Sequence, residues 1–353
     1  MATVTMSGLV SKYENFLVPA VKVKAAGREV TGGDTYVVEA VEVTLSKEAS
    51  SAASIKLTNV YDPESRRFFR EISSDFILGE LVEVEMGYGS RLSSLFYGYI
   101  EEINYELEEN PSVHIMAMDV RRLMMGSKKS NIAHKVTSYS DAFQEVVKKY
   151  KAAYKKTSVD KTEKMDVECI IQNGNDYKFI TEELCKKGER DFFVHAGTLY
   201  YKKLSEEIFQ TVELEWARDL LSFQRRASFQ DTVIKILGQD LKKKEEVEAQ
   251  VKLKADDKQK SLVQNELTEM NADIQSSGDA RKVAEYKAEQ EKKKTRQASG
   301  VCVGIPEILP GGYVKIKNAD AGLLDGVYAV AEVKHTFGAD GYRTSFDLGG
   351  WKR

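Results

Sequence analysis

Residues 81–88 read Leu81-Val82-Glu83-Val84-Glu85-Met86-Gly87-Tyr88. Val82, Val84 and Met86 alternate with Glu83 and Glu85, so an extended strand here puts apolar side chains on one face and carboxylates on the other. Gly87 and Gly89 close it as a strand-end turn. The same alternation recurs upstream. Val21 and Val23 alternate with Lys22 and Lys24; Val41, Val43 and Leu45 with Glu42 and Thr44; Ile55 and Leu57 with Lys56 and Thr58. Downstream, Ile103, Tyr105 and Leu107 alternate with Asn104, Glu106 and Glu108. Gly27, Gly32, Gly33 and the Asn110-Pro111 pair mark turns between these runs. Strands at such short spacing over residues 18–125 predict a sandwich or small barrel.

Beyond residue 125 the pattern changes. Phe143, Val146, Val147, Tyr150 and Tyr154 fall at helical spacing behind Ser138 and Ser140, which suit a helix N-cap. A second helix starts at Asn175 or Asp176, carries Tyr177, Ile180 and Leu184 as its apolar stripe, and ends at Gly188. Phe192–Val194 and Leu199–Tyr201 flank His195-Ala196-Gly197-Thr198 as a hairpin. Strands return over 211–238, with Thr232-Val233-Ile234-Lys235-Ile236-Leu237 the clearest, and again over 301–351. There Val314 and Ile316, then Val327, Ala329, Ala331 and Val333, then Tyr342, Thr344, Phe346 and Leu348 form alternating sets.

Between them, residues 240–298 hold 14 basic and 13 acidic residues, no proline and one glycine, Gly278. This composition predicts an exposed, charged helical excursion broken near Ser276-Ser277-Gly278, with sparse apolar positions at Val247, Val251, Leu253, Leu262, Val263, Leu267, Met270 and Ile274. Its heptads are not sustained, which argues against a long coiled coil. The runs Lys242-Lys243-Lys244 and Lys292-Lys293-Lys294 are offset by nearby glutamates and read as solvated faces.

Composition bounds the function. The 353 residues carry 52 Lys and Arg against 55 Asp and Glu, a net charge of −3, which argues against a chain built to coat nucleic acid. Hydrophobic residues at 42% supply real cores, and a chain this long predicts two or three domains. Three cysteines, Cys169, Cys185 and Cys302, have no metal-like spacing and read as small buried hydrophobes. No apolar run is long enough to span a membrane, and the N-terminal residues lack a secretory signal pattern. The expectation is synthesis in a cytoplasm and no membrane insertion by this chain.

Catalytic patterns are missing. There is no nucleophile elbow, no zincin helix and no Walker loop. Gly87-Tyr88-Gly89 lacks the third glycine and the following helix of a dinucleotide fingerprint. His114, His134, His195 and His335 are scattered, with His114 and His335 inside strand patterns, where a hydrogen-bonded structural role is the simpler reading. Glu101 and Glu102 are strand neighbours facing opposite sides, so they cannot share a substrate. The sequence therefore nominates no catalytic residue, no cofactor-binding residue and no metal ligand, and it predicts a protein that is not an enzyme.

Taken in order, several segments resemble the late control protein D family, which supplies the baseplate hub of contractile phage tails and whose fold recurs in the hub part of type VI secretion VgrG spike proteins. They are Pro19-Ala20-Val21-Lys22-Val23 with Gly27; Gly79-Glu80-Leu81-Val82-Glu83-Val84 with Gly87-Tyr88; Phe96-Tyr97-Gly98-Tyr99-Ile100; and Met118-Asp119-Val120-Arg121-Arg122-Leu123-Met124. Asn175 to Ile180 with Leu184, Gly188 and Phe192-Phe193 follow, then Ile234 to Asp240, then Gly304-Ile305-Pro306-Glu307-Ile308-Leu309-Pro310-Gly311. Gly326 to Val330, His335, and Gly341-Tyr342-Arg343-Thr344-Ser345-Phe346 close the series. The resemblance covers roughly residues 18–237 and 279–350.

It implies an α+β, mainly β chain with two similar tube-type β-barrel domains, residues 1–125 and 205–353, joined by a small α/β middle domain, residues 126–204, with the charged helical insertion at about 240–298 in the second barrel. It further implies a homotrimer whose six barrels form a pseudo-sixfold ring, joining a hexameric tail tube to a trimeric spike in a phage virion or phage-tail-like particle. The expected partners are the tail tube protein, a separate spike protein, other baseplate components, and tape measure or cargo in the lumen, with no specific nucleic-acid binding. The alternatives are a monomeric adaptor that binds through the charged segment 240–298, and a cell-wall hydrolase carried by such a particle.

Overall fold

A computed structural model of the chain describes residues 3–33, 35–164, 169–203, 210–240, 245–254, 259–270, 274 and 276–352. Strand β1 (Thr3–Val4) and helix α1 (Met6–Lys12) lead into β2 (Pro19–Ala25), β3 (Arg28–Glu29), β4 (Val37–Ser46) and β5 (Ala52–Thr58). The short β6 (Tyr61–Asp62) and β7 (Arg67–Phe68) and helix α2 (Arg70–Asp75) precede β8 (Leu81–Tyr88), β9 (Arg91–Glu106) and β10 (Ser112–Met118). Hydrogen bonding orders these strands β4-β5-β10-β9-β8-β2-β3, each pair antiparallel. The alternating residues behave as their pattern requires: Val23, Val41, Val43, Ile55, Leu57, Val82, Val84 and Met86 are all buried. Each such aliphatic side chain contributes about 1.5–3 kcal/mol on full burial.

Two bulges bend β9. Its register against β8 shifts between Val84 and Glu85, which lets the consecutive Leu95 and Phe96 both turn inward. Its register against β10 shifts between Met116 and Ala117. Beyond that second bulge Tyr105 of β9 and Leu107 just after the strand are exposed despite their alternation.

The middle region contains α3 (Val120–Gly126), β11 (Lys129–His134), α4 (Tyr139–Lys148), β12 (Lys156–Val159) and β13 (Ile170–Gly174). A continuous helix follows, α5 (Asp176–Lys178) passing through a π-helical stretch at Phe179–Leu184 into α6 (Cys185–Gly188). The hairpin β14 (Asp191–His195) and β15 (Thr198–Lys202) ends the region. Ser138 caps α4 by accepting from the Asp141 amide at 3.1 Å, and Asn175 caps α5 by accepting from the Lys178 amide at 2.7 Å. Ala196 and Gly197 both have positive φ, as a tight hairpin turn demands. Phe143, Val146, Val147, Phe179, Ile180, Leu184, Phe192, Leu199 and Tyr201 form the core of this region.

The rest of the chain supplies β16 (Thr211–Glu215), β17 (Leu220–Ala227), β18 (Asp231–Asp240), β19 (Glu245–Lys254), β20 (Asn265–Met270), α7 (Ser277–Thr295), β21 (Arg296–Val303), β22 (Tyr313–Lys317), β23 (Gly326–Gly338) and β24 (Gly341–Lys352). Strands β16-β22-β23 pair in that order, and β23 also pairs β24, which continues to β21 and β17. Register shifts at Tyr328/Val330 and Val330/Glu332 reset the phase of β23. The buried side chains are therefore Tyr328, Val330, Val333 and His335, not the unbroken series through Val327, Ala329 and Ala331.

Strand β23 also pairs β4 antiparallel, Val333 opposite Leu45 and His335 opposite Val43. Strands β1–β5, β8–β10, β16, β17 and β21–β24, drawn from both halves, thus belong to one hydrogen-bonded sheet over one hydrophobic cluster. The chain start crosses over: β1 pairs β16 in parallel, and Met6 and Leu9 of α1 are buried in the shared core. The short apolar pattern of residues 3–13 carries no signal of that partner.

The charged helical excursion expected over 240–298 requires correction. Among the described residues of this stretch, helix occupies Ser277–Thr295, and residues 245–254 and 265–270 are strands flanking β18 in a three-stranded sheet. Val247, Ala249, Val251 and Leu253 alternate with Glu246, Glu248, Gln250 and Lys252, and the apolar set packs with Ile234 and Ile236 against Ala280, Ala284 and Ala288 of α7. The solvent-facing charges of a half-buried sheet resemble an exposed helix when only composition is weighed. The lysine run 242–244 lies outside the described residues.

Candidate assembly surface

Two buried polar clusters fix the geometry of the sheet. The first lies where β10 meets α3. Asp119 caps α3 by accepting from the Arg121 amide at 2.8 Å, and it also accepts from the Ser51 amide at 2.9 Å and the Ser50 hydroxyl at 2.9 Å. The fully buried Arg121 guanidinium donates to the same carboxylate through Nε and Nη2, and to the Ser46 carbonyl and the Ser51 hydroxyl at 2.9 and 2.8 Å. The pair therefore staples the β4–β5 turn to the start of the middle region.

The second cluster joins the halves. His335 on β23 and Thr344 on β24 lie opposite each other, with His335 Nδ1 3.1 Å from the Thr344 hydroxyl and 2.9 Å from the Tyr342 hydroxyl. Thr344 accepts from the Ile305 amide at 2.9 Å, and Gly304 next to it leaves room for the Tyr342 ring, which a Cβ would meet at 2.1 Å. The Gly304 carbonyl accepts from Tyr88 of β8 at 3.0 Å. Glu307 accepts from Tyr13 at 2.8 Å and pairs with Lys12 at 2.6 Å, tying α1 to this segment. Burial pushes the His335 imidazole down to about 3 and the Tyr88 phenol upward.

A third network sits inside the middle region. His134 is 3.0 Å from Glu145 and 2.8 Å from Gln172, which donates to the buried Asp176 at 2.6 Å. Lys149 and Tyr150 also reach that carboxylate. Burial alone would raise the Asp176 carboxyl, but hydrogen bonds from Lys149, Tyr150 and Gln172 outweigh it and hold the group well below the usual carboxylate range. All three networks hold segments together, although His335 Nε2 and the second Glu307 oxygen are buried without a hydrogen-bond partner. Among the described residues, no three His, Cys, Asp or Glu side chains converge to hold a metal ion. Cys185 and Cys302 are buried, and burial pushes the Cys185 thiol up to about 12.

The outward face of the sheet is a field of opposite charges. Lys24 pairs Glu85 at 3.1 Å, Lys155 pairs Glu83 at 2.5 Å, Lys56 pairs Glu39 at 2.9 Å, and Lys315 pairs Glu213 at 3.2 Å. Lys334 of β23 reaches Glu42 of β4 at 2.9 Å, across the junction of the two halves. The Lys317 and Lys315 ammonium groups hold the Glu213 carboxyl below its ordinary range. Exposed pairs of this kind add little stability, but they leave a wet, near-neutral surface. On one flank, β17, β21, β24 and β23 line a groove of about 810 Å³ bounded by Arg226, Gln297, Glu332 and Asp347. His114 lies half-buried on β10, 3.3 Å from Glu106, and His195 ends β14.

Residues 16–338 match the model of the family described as the Alg8 N-terminal domain, and the chain belongs to that family. No curated protein matches the sequence. Among solved structures, the 43 kDa tail protein of prophage MuSo2 from Shewanella oneidensis is similar at a TM-score of 0.70 and 15% identity, covering 93% of this chain and 97% of that one. A tail protein from Neisseria meningitidis is similar at a TM-score of 0.69 and 13% identity, covering 94% and 97%. A Francisella PdpA–VgrG complex is similar at a TM-score of 0.57 and 11% identity, covering 96% of this chain and 60% of that one. The fold is thus one found in phage tail proteins and in a PdpA–VgrG complex, as the ordered motifs implied.

Proposed function

We propose that the chain is a structural baseplate hub of a contractile phage tail or phage-tail-like injection particle. In this reading residues 1–125 and 205–353 act as two similar barrels, and three copies form a pseudo-sixfold ring. A hexameric tail tube stacks on one side of that ring and a separate trimeric spike on the other. The observation that carries the reading is the continuity of the sheet through the β4–β23 pairing, which holds two β units of one chain in a fixed relation, together with a fold shared with tail proteins along nearly their whole length. Two rigidly joined units per subunit let a threefold object present six lobes.

The balanced Lys and Glu face supports a lumen that passes cargo without holding it, because a strongly basic wall would retain phosphate backbones. The buried networks serve positioning, and we read the protein as structural and not catalytic. The test is the mass of the purified full chain by light scattering, alone and with its spike partner. Three copies per particle are expected, whereas a monomer in both conditions would overturn the ring.

A further inference from the structure

Strands β19 and β20 are the outer strands of the three-stranded sheet centred on β18. Among the described residues β19 and β20 each pair only with β18. All six residues of β20 are exposed, including Leu267 at 44% and Met270 at 73%, and the strand contains no proline. An exposed edge of this length can template another strand, and its glutamates restrict which strand it accepts.

We propose that the outer edge of β20 pairs antiparallel with the outer edge of β19 from a second copy of this chain, with Glu266 opposite Lys252. The inference rests on the ring reading above, and it assigns that ring a contact outside the barrels. Strand direction supports it. Strand β20 runs parallel to β18 and β19 runs antiparallel. Rotation about an axis near the strand direction preserves those senses, so a repeated copy presents β19 antiparallel to β20.

Charge and alternation agree with that pairing. Strand β19 is acidic at its start, Glu245, Glu246 and Glu248, and basic at its end, Lys252 and Lys254, while β20 carries Glu266 and Glu269. The antiparallel arrangement sets Glu266 against Lys252, whereas a parallel one would set it against Glu246 or Glu248, a like-charge contact. The same register brings Leu267 to Val251 on the α7 face, Thr268 to Gln250 and Met270 to Glu248 on the other. It would cover Leu267 and extend the apolar layer under α7 as far as Glu269, which pairs with Lys287 of α7.

Within one chain, Lys252 and Glu266 both flank Val233 on the central strand. They stand two strand spacings apart, about 9–10 Å, which is too far for an intramolecular disulfide. The experiment is the full-length Lys252→Cys/Glu266→Cys variant under mild oxidation, read on a non-reducing gel beside each single variant and the unmodified chain. The expected result is a covalent ladder ending at a closed trimer in the double variant only. A ladder running past three copies would support the edge contact and overturn the closed ring. A chain that is trimeric by light scattering yet stays unlinked would overturn this contact and leave the ring intact. A chain that is monomeric and unlinked at every concentration would overturn both. As a second readout, Glu266→Lys should weaken self-association about tenfold, and adding Lys252→Glu should restore it; no effect from either would count against the pairing.

Discussion

Arg121 and Asp119 stand two residues apart in the chain and form a fully buried, bidentate pair, with Arg121 Nη2 2.6 Å from Asp119 Oδ2. Both ions spend their remaining hydrogen bonds on the Ser46–Ser51 turn and on the first turn of α3. The pair therefore sets where the middle region leaves the sheet. Breaking one side of a buried pair leaves an uncompensated charge. Arg121→Met should destabilise the chain by about 3–5 kcal/mol, read as a lowered urea midpoint. An unchanged midpoint would remove the pair from the account.

Gly98 tests close backbone approach. A Cβ there would meet the Met118 carbonyl oxygen at 2.2 Å, beside the bulge that joins β9 to β10. Gly98→Ala should cost several kcal/mol, about 2–4, and lower the melting temperature clearly. Gly278, near the start of α7, meets only the Ser276 hydroxyl at 3.8 Å, so Gly278→Ala should be neutral or stabilising by up to about 1 kcal/mol. Equal effects at the two glycines would contradict the packing described.

The His335 imidazole has its proton affinity lowered by burial, to about 3. The unfolded chain protonates near pH 6.5, so unfolding takes up a proton between those values. The stabilisation from keeping His335 neutral is fully present above about pH 6.5 and is lost as pH falls toward 3, at about 1.4 kcal/mol per pH unit. His335→Gln should remove this part of the acid sensitivity. The gap in stability between the two chains, measured by urea titration at pH 7, 6, 5 and 4, should shift steadily against the unmodified protein as pH falls. A constant gap would mean that the histidine binds its proton equally in both states.

Ala227 and Arg296 lie directly opposite each other where β17 and β21 pair, so the whole stretch between them leaves and re-enters the sheet at one point. Replacing residues 228–295 with an Asn-Gly turn should leave a folded chain whose melting temperature moves by a few degrees at most. Its apolar cluster of Ile234, Ile236, Val247 and Leu253 with α7 is separate from the main core. Loss of the native near-ultraviolet spectrum on this replacement would show that the two cores fold as one.

The β framework was legible because one face of each strand is buried and the other is wet. Val82, Val84 and Met86 alternate with glutamates for that reason alone. Bulges broke the legibility elsewhere: the resets in β23 bring Tyr328 and Val330 inward, and no single-strand pattern announces a register shift in its neighbour. The segment 245–270 misled for a different reason, since its charges outnumber the four alternating apolar positions of β19. The pairing of β1 with β16 and of Glu307 with Tyr13 links residues far apart in the chain, which periodicity cannot report. Motif residues such as Asp119, Arg121, His335 and Thr344 were visible as part of a resemblance. Only the fold shows which segments they bind together.

The central claim is that three copies make one six-lobed ring. Electron-microscopy class averages of the full chain, co-expressed with its spike partner, test it most directly. The account predicts threefold averages with six lobes around a central hole. A compact particle without threefold symmetry, in the presence of the spike, would contradict it.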